Sequence, residues 1–522
     1  MWILGVSRHH NGSVCLLKDG EIIFHLEEER LSRKKRDFTP YFTLLKTLEY
    51  TDHIDHLVLS GIGPLPQVEW YHDSHGENVY SMVLKKHLKS KNPFVVYDWS
   101  YNHHEMHAAQ SFYNSGFDMA VVIVADGAGS VVDNKIEIES IFTAEYPAKF
   151  TKVYENYHSE NNISCGWKFE MISAYLGFGQ MDAGKVMGLS SYGKPNPNIP
   201  NLSNNKFFSK TGFVPPIGLE RSFQNDADLS YELQRATQEQ VLKLINKAIE
   251  LTGCKNVIVV GGYGLNCVAN YFYLNHLPKD INLYIEPNSS DGGVSIGAAK
   301  KVWHQITGDT TIRKIDNIYY GPKPSYDIQL KDGEVSTESN YSDIIELILK
   351  GELVALFQGS SEGGPRALGN RTLLFDPRHP DGKNIVNKIK NREWFRPFAG
   401  TVLQEYAQDY FDMRGLAESP FMMYAVNVKS GVENIVPAIT HVDNTCRIQT
   451  VTEEQNIHYY NLIKEFHSKT GVPILFNTSF NLAGEPLVET IEDALHTLRN
   501  SDIKYLYLPE INKLITIENK NV

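Results

Sequence analysis

Tyr101-Asn102-His103-His104-Glu105-Met106-His107-Ala108, with the apolar run over residues 119–125 that ends in Asp126-Gly127, decides how this chain is read. His103 and His107 stand four apart, so on a helix they share one face. The run Met119-Ala120-Val121-Val122-Ile123-Val124-Ala125 has the length and β-branched content of a buried strand. Two imidazoles on one helical turn and a carboxylate at a strand end form a donor set for a divalent transition metal. A lone H-x-x-x-H arises often by chance, so the surrounding sequence has to carry the reading.

Upstream, residues 2–6, 13–17 and 21–26 read as short strands, with Asp19-Gly20 as a hairpin turn between the last two. The loop Arg8-His9-His10-Asn11-Gly12 joins the first pair. The charged run over residues 27–37 reads as a solvated helix face. Downstream, Asp126-Gly127-Ala128-Gly129-Ser130 follows the apolar run, and Gly261-Gly262-Tyr263-Gly264 follows another at residues 256–260. Strand, glycine-rich turn, then helix is how a backbone approaches phosphate. In Ser290-Asp291-Gly292-Gly293, Asp291 begins a small-residue helix and reads as a helix cap or a ligand.

At 522 residues the chain exceeds one compact core, so two or more domains are expected. Apolar content of 42% and charged content of 21% are those of a soluble globular protein. A net charge of −12 weighs against an open nucleic-acid surface. The five cysteines are widely spaced with no C-x-x-C, which fits a reducing cytoplasm and argues against a cysteine zinc site. No signal peptide and no membrane span are read. Polar, turn-rich sequence over 322–339 places a domain boundary at 330/331, and an amphipathic helix is expected from Asp343.

The second half carries a cationic cluster. Arg366, Arg371, Arg378, Lys390, Arg392 and Arg396 fall in a short span interleaved with Gly, Pro and Phe. Guanidinium groups grip phosphate through paired hydrogen bonds, and glycine lets the backbone come close. Arg447 and the strand-end run Asn477-Thr478-Ser479-Phe480-Asn481 add groups that orient a small polar ligand.

These blocks, in this order, resemble the carbamoyltransferase family that includes nodulation-factor and antibiotic O-carbamoyltransferases. The matching pieces are HHNGS, Glu28-Glu29-Arg30, HHEMHAA, ADGAG, GKVMGLSSYG, GGYGLNCVAN and DGGVSIGAA, then EGGPRALGNR, KNREWFRPFA, PAITHVDNTCRIQTV and NTSFNLAGEP. The resemblance covers nearly the whole chain. It implies an α/β protein of two domains. Residues 1–330 would be an actin/sugar-kinase-like transfer domain with duplicated strand–turn units, as in the tRNA threonylcarbamoyl transferases. Residues 331–522 would be an α+β, YrdC-like domain that makes carbamoyl-adenylate.

By motif, His103, His107, Asp126 and Asp291 resemble the metal ligands, for Fe(II) or another divalent ion such as Mn or Mg. Gly261, Gly262 and Asn266 resemble the adenosine loop, with Lys185 near the nucleotide. Arg366, Lys390, Arg392, Arg396, Arg447, Asn477 and Ser479 resemble the site for ATP and carbamoyl phosphate. Transfer needs a base for the acceptor hydroxyl. His10 is the candidate and His104 the runner-up. Three positions depart from the family pattern: Gly400 after FRPFA, Asn102 before the histidine pair, and Ser190-Ser191 ahead of Tyr192. Asn102 would give His103 weaker support than an Asp.

The expected activity is ATP-dependent O-carbamoyl transfer to a small hydroxylated acceptor in the cytoplasm, with a homodimer as the base-rate assembly. Competing readings are threonylcarbamoyl transfer to tRNA, carbamoylation of a hydroxymethyl-pyrimidine nucleotide or DNA base, and a non-catalytic binding protein of the same fold. The acidic balance weighs against nucleic acid. Acceptor choice is placed in residues 69–91 and 155–181, rich in Tyr, His, Trp and Asn; their plainer reading is irregular surface loop.

Overall fold

Apolar runs near the N-terminus form the first sheet of a computed structural model that describes residues 1–63, 77–160, 162–209 and 211–517. Trp2–Arg8 is the central strand. It pairs antiparallel with Ser13–Lys18, which pairs antiparallel with Glu21–Glu27. On its other side it pairs parallel with His56–Gly61, and that strand with Val95–Asp98. The Asp19-Gly20 turn closes the hairpin with φ of 51° and 87°, the left-handed pair that such a tight turn requires.

Both faces of this sheet are covered, so its strands are near-continuously apolar rather than alternating. One face buries Leu4, Val6, Leu16, Phe24 and Leu57 with Leu44, Tyr80 and Leu84. The other buries Ile3, Cys15, Leu17 and Val58 against Val294, Ala298, Ala299 and Val302.

The second sheet repeats the plan. Met119–Ala125 is central; it pairs antiparallel with Lys135–Glu145, which pairs antiparallel with Lys149–Tyr157 and with the short strand Val131–Val132, and it pairs parallel with Asn256–Val260, which pairs parallel with Asn282–Ile285. In both sheets a helix follows the fifth strand: His103–Ser115 after the first, Val294–Thr307 after the second. The expected strand–turn units are therefore the first strand of each repeat and the fourth strand of the second. The two helices touch backbone to backbone. A Cβ on Gly297 would lie 2.0 Å from the Met106 carbonyl oxygen, so only glycine permits this approach.

Two sequence expectations need correction. The charged run over 27–37 does not start as a solvated face: Glu27, Glu28, Glu29 and Arg30 are buried. Glu28 accepts the backbone N–H groups of Phe42 and Thr43 and the Thr43 hydroxyl, which satisfies a carboxylate that burial would otherwise penalise. Nor is 155–181 mostly irregular loop. Helix Cys165–Tyr175 occupies its centre, and the Ser164 hydroxyl caps it by accepting from the Trp167 N–H at 3.1 Å. Of residues 69–91, positions 69–76 lie outside the described residues and Val79–His87 is a helix.

By internal contacts the chain divides into Met1–Asn266 with His276–Ile315, and Cys267–Asn275 with Asp316–Val522. The change at Ile315 comes ahead of the 330/331 boundary read from composition. The second unit is built on a nine-stranded mixed sheet in the order Glu334–Glu338, Lys513–Ile517, Tyr505–Leu508, Val354–Phe357, Arg371–Phe375, Ile474–Ser479, Ala399–Leu403, Thr445–Val451, Ala425–Asn427. The amphipathic helix expected near Asp343 is Tyr341–Leu349, opened by a capping box between Asn340 and Asp343. The protein is thus mixed α/β with several sheets. No helix among the described residues is long and apolar enough to cross a membrane.

Candidate metal centre and a cationic sheet face

The repeat brings four expected ligands together. His103 and His107 come from the first turns of the helix that ends repeat one. Asp126 follows the first strand of repeat two, and Asp291 stands just ahead of the helix that ends repeat two. All four are buried, and their donor atoms lie within 4.8 Å of one another. The His103 Nε2 lies 3.3 Å from Asp126 Oδ2 and 3.6 Å from Asp291 Oδ1. The His107 Nε2 lies 3.5 Å from Asp291 Oδ1 and 4.0 Å from Asp126 Oδ2.

Metal bonds of about 2.0–2.2 Å set neighbouring donors about 3.0–3.6 Å apart, so the set is close to a coordination shell. Both ring nitrogens of His107 and Oδ1 of Asp291 are buried without a hydrogen-bond partner. Buried polar atoms normally have partners, and a cation here would supply one. Imidazole and carboxylate donors suit iron, manganese or a similar divalent ion. The residues present fit such a group.

Electrostatics point the same way. Burial works against the His103 imidazolium, but Asp291 and Asp126 outweigh it and hold its pKa at about 10. Burial would raise Asp126 and Asp291. His103 on Asp126, and His10 with His103 on Asp291, instead hold both carboxylates well below their usual range. The pocket is anionic and calls for a cation.

His10 sits in the loop after Trp2–Arg8, with Nε2 3.7 Å from Asp291 Oδ2 and its side chain 28% exposed. His104 is wholly buried, hydrogen-bonded to Ser140 Oγ at 2.8 Å, and pushed well below the usual histidine range by burial. Burial thus disfavours the charged form of His104. Sequence reading passed over His9, whose Nδ1 lies 3.0 Å from Asp291 Oδ2. The signal was available: it adjoins His10 in the same post-strand loop. Asn102 does not support His103; its amide donates to Glu105 Oε2 at 3.1 Å.

The glycine turn adjoins the cluster. Gly261 has φ 94°, and its Cβ would meet the Ala125 carbonyl oxygen at 2.5 Å. The Gly262 N–H donates to Asp126 Oδ1 at 3.0 Å, so this turn orients a candidate ligand. Asn266 exchanges hydrogen bonds with Gln234. Lys185 pairs with Asp182 at 3.0 Å, and Asp182 also pairs with Arg36.

In the second unit, Arg447 is in register with Ala399, and Ala399 with Asn477, so the three side chains share one face. Two residues along, Gln449 and Thr401 continue the row. The Asn477 amide donates to the Ala367 carbonyl at 3.2 Å, and the Gln449 amide to the Leu368 carbonyl at 2.8 Å. These bonds fix the loop that carries Arg366 over the sheet. Lys390, at the C-terminal end of helix Gly382–Ile389, donates to the Ser479 carbonyl and to Ser479 Oγ at 3.2 Å. Asn391, at φ 48°, turns the chain toward Arg392 and Arg396.

The Arg392 guanidinium stacks 4.2 Å over Phe398. Burial, then the charges of Arg447 and Arg396, push Arg366 down to about 9. Burial, Arg396 and Arg447 push Arg392 well below the usual range. The charges of Arg396 and Arg447 bear on both Arg366 and Arg392, so the guanidinium groups converge, and Glu393 beside Arg396 at 3.7 Å is a modest counterweight. Converging positive charge of this kind attracts anions.

Two arginines of the sequence cluster do not join it. Arg371 is fully buried, donates to the carbonyls of Gln358, Gly359 and Glu489, and stacks on Phe357 at 3.8 Å. Arg378 pairs with Asp376 at 2.8 Å. A Cβ on Gly400 would meet Ile439 at 2.4 Å, which explains glycine there.

Comparison with known proteins matches this arrangement to a class. Residues 69–300 match the carbamoyltransferase N-terminus family and residues 345–513 the carbamoyltransferase C-terminus family. The chain is 31% identical to nodulation protein NolNO of Sinorhizobium fredii, over 95% of this chain and 77% of that protein. It is 32% identical to an uncharacterized protein of Synechocystis sp., over 97% of this chain and 95% of that one. The chain belongs to the carbamoyltransferase family and is a carbamoyl-transferring enzyme. Among solved structures, full-length HypF in a phosphate- and nucleotide-bound form aligns over 59% of this chain and 56% of its own, at 14% identity and a TM-score of 0.39.

Proposed function

We propose that this carbamoyltransferase is ATP-dependent and modifies a hydroxyl group of a small acceptor. The first unit is read as an actin/sugar-kinase-like transfer domain and the second as a YrdC-like adenylate-forming domain. The twice-used five-stranded plan supports the first assignment, and the cationic sheet face supports the second.

In the second unit, carbamoyl phosphate and water give carbamate and phosphate. A carbamate oxygen then bonds to the α-phosphorus of ATP as the bond to pyrophosphate breaks, giving carbamoyl-adenylate. Arg366, Lys390, Arg392, Arg396 and Arg447 hold the phosphate oxygens and offset the charge that gathers on departing pyrophosphate. Asn477 braces the loop that carries Arg366. Ser479 positions Lys390.

In the first unit, the acceptor oxygen bonds to the carbamoyl carbon, the carbon–oxygen bond to AMP breaks, and AMP leaves. His10 takes the acceptor proton. The wholly enclosed His104 has no route to it. Gly261 and Gly262 let the backbone approach the adenylate, with Asn266 following that turn, and Lys185 is read as a further nucleotide contact. His103, His107, Asp126 and Asp291 would hold a divalent metal, Fe(II) on ligand type with Mn or Mg as alternatives. Such an ion supplies Lewis acidity at the carbamoyl or phosphate oxygen.

The observation that carries this reading is the buried His103–His107–Asp126–Asp291 cluster gathered from both repeats. Purified protein given Fe(II), ATP and carbamoyl phosphate is expected to release pyrophosphate only when carbamoyl phosphate is present. Folded protein that releases none, or releases it without carbamoyl phosphate, overturns the reading.

A further inference from the structure

Asp291 uses its two oxygens differently. Oδ1 faces the Nε2 atoms of His103 and His107 at 3.6 and 3.5 Å. Oδ2 faces away from them, toward His9 Nδ1 at 3.0 Å. A carboxylate rotates readily about its last bond, so its oxygens exchange unless something holds the plane. An N–H on one oxygen does that.

We propose that His9 is a positioning residue. Its Nδ1–H pins Asp291 Oδ2 so that Oδ1 stays aimed at the His103–His107 pair. The inference rests on the metal-binding reading of that cluster. The Nδ1 tautomer is assigned from its carboxylate partner, since a carboxylate accepts and cannot donate.

His10 does not share this task. Its Nε2 lies 3.7 Å from the same oxygen, beyond hydrogen-bond range. Adjacent imidazoles therefore divide the work: His9 holds Asp291 and His10 remains available to the acceptor. The loop that carries them is fixed at its far end. The Gly12 N–H donates to the Asp37 carbonyl at 2.8 Å, and the Gly12 carbonyl accepts the Glu28 N–H at 2.7 Å. Phe38 packs its edge against the His9 ring, with centroids 5.9 Å apart. The repeat supplies a parallel. The first strand of repeat two delivers Asp126 as a candidate ligand, and the first strand of repeat one delivers His9 to hold one.

Two variants separate the N–H from mere bulk. His9→Phe keeps a ring against Phe38 and removes the donor. His9→Asn places an amide N–H near the position of Nδ1. Mn(II) affinity is measured by competition with a chelator, the Mn(II) resonance spectrum reports the ligand field, and thermal melting of metal-free protein reports folding. His9→Phe is expected to lose about 10- to 100-fold in Mn(II) affinity with an altered spectrum. His9→Asn is expected to recover most of both, and the metal-free melts are expected to match wild type. If wild type binds Mn(II) and His9→Phe binds it equally well, or His9→Asn is as impaired as His9→Phe, the inference falls while the metal reading stands. If wild type binds neither Mn(II) nor Fe(II), the metal reading fails and the inference with it.

Discussion

Gly297→Ala tests whether the metal cluster depends on how closely the two repeats approach. Its Cβ would lie 2.0 Å from the Met106 carbonyl oxygen and 2.9 Å from the Gln110 backbone nitrogen. Relief to an ordinary contact requires the helices to separate by about 1 Å, whereas a working site holds its groups to about 0.5 Å. His103 and His107 ride on one helix and Asp291 lies just ahead of the other, so the separation falls across the cluster. Alanine gains up to about 1 kcal/mol in helix propensity, and overpacking costs about 1–3 kcal/mol. The net expectation is a loss of about 0–3 kcal/mol in metal-free stability. Mn(II) affinity should fall at least about tenfold, which is about 1.4 kcal/mol. Urea denaturation and Mn(II) titration measure the two effects. Gly184→Ala is the control, since nothing lies within 4 Å of its added Cβ. A Gly297→Ala protein as stable as the control and binding metal as wild type does would refute the argument.

Further outcomes follow from other residues. Burial pushes His25 down to about 4, against 6.5 for an ordinary histidine. The unfolded chain therefore binds the extra proton first, and His25 stabilises the fold above pH about 6.5. That contribution, on the order of 3 kcal/mol, is lost as pH falls toward about 4. His25→Gln should flatten urea-measured stability between pH 7 and 4.5, and an unchanged slope would count against the assignment. Arg371→Met strips the donor from the carbonyls of Gln358, Gly359, Asn370 and Glu489 and should cost about 3–5 kcal/mol in denaturant melts. Arg396→Ala should leave stability within about 1 kcal/mol while abolishing pyrophosphate release, because Arg396 is partly exposed and its 3.7 Å pair with Glu393 is screened by solvent. Asn477→Ala leaves the Ala367 carbonyl without its donor, should cost about 1–3 kcal/mol, and should weaken ATP binding through the Arg366 loop.

Much of the first unit was legible because its signals are local. The i, i+4 spacing of His103 and His107 placed them on one helix, and Asp126 had to fall at a strand end. Asp19-Gly20 closed the hairpin where expected. What sequence could not show is which charge meets which. Glu28 and Arg30 look like solvent groups in a charged run, but both are buried, Glu28 on the backbone of Phe42 and Thr43. Arg371 and Arg396 are the same residue type in one cluster. One sits on a central strand whose carbonyls and aromatic ring claim it, and the other follows a helix on a turn. His9 and His10 are neighbours with different reach, and only the position of Asp291 separates them. Strand–turn units recurred in the sequence without a fixed-period repeat, and the pairing that makes both sheets alike shows only in the fold.

The central claim is that one unit makes the carbamoyl-adenylate and the other consumes it. The most direct measurement is mass-spectrometric detection of carbamoyl-adenylate after quenching reactions of wild type, His107→Ala and Arg396→Ala with ATP and carbamoyl phosphate. The account predicts that the adenylate accumulates with His107→Ala and does not form with Arg396→Ala. Absence of the adenylate from His107→Ala, or its formation by Arg396→Ala at the wild-type rate, would contradict it.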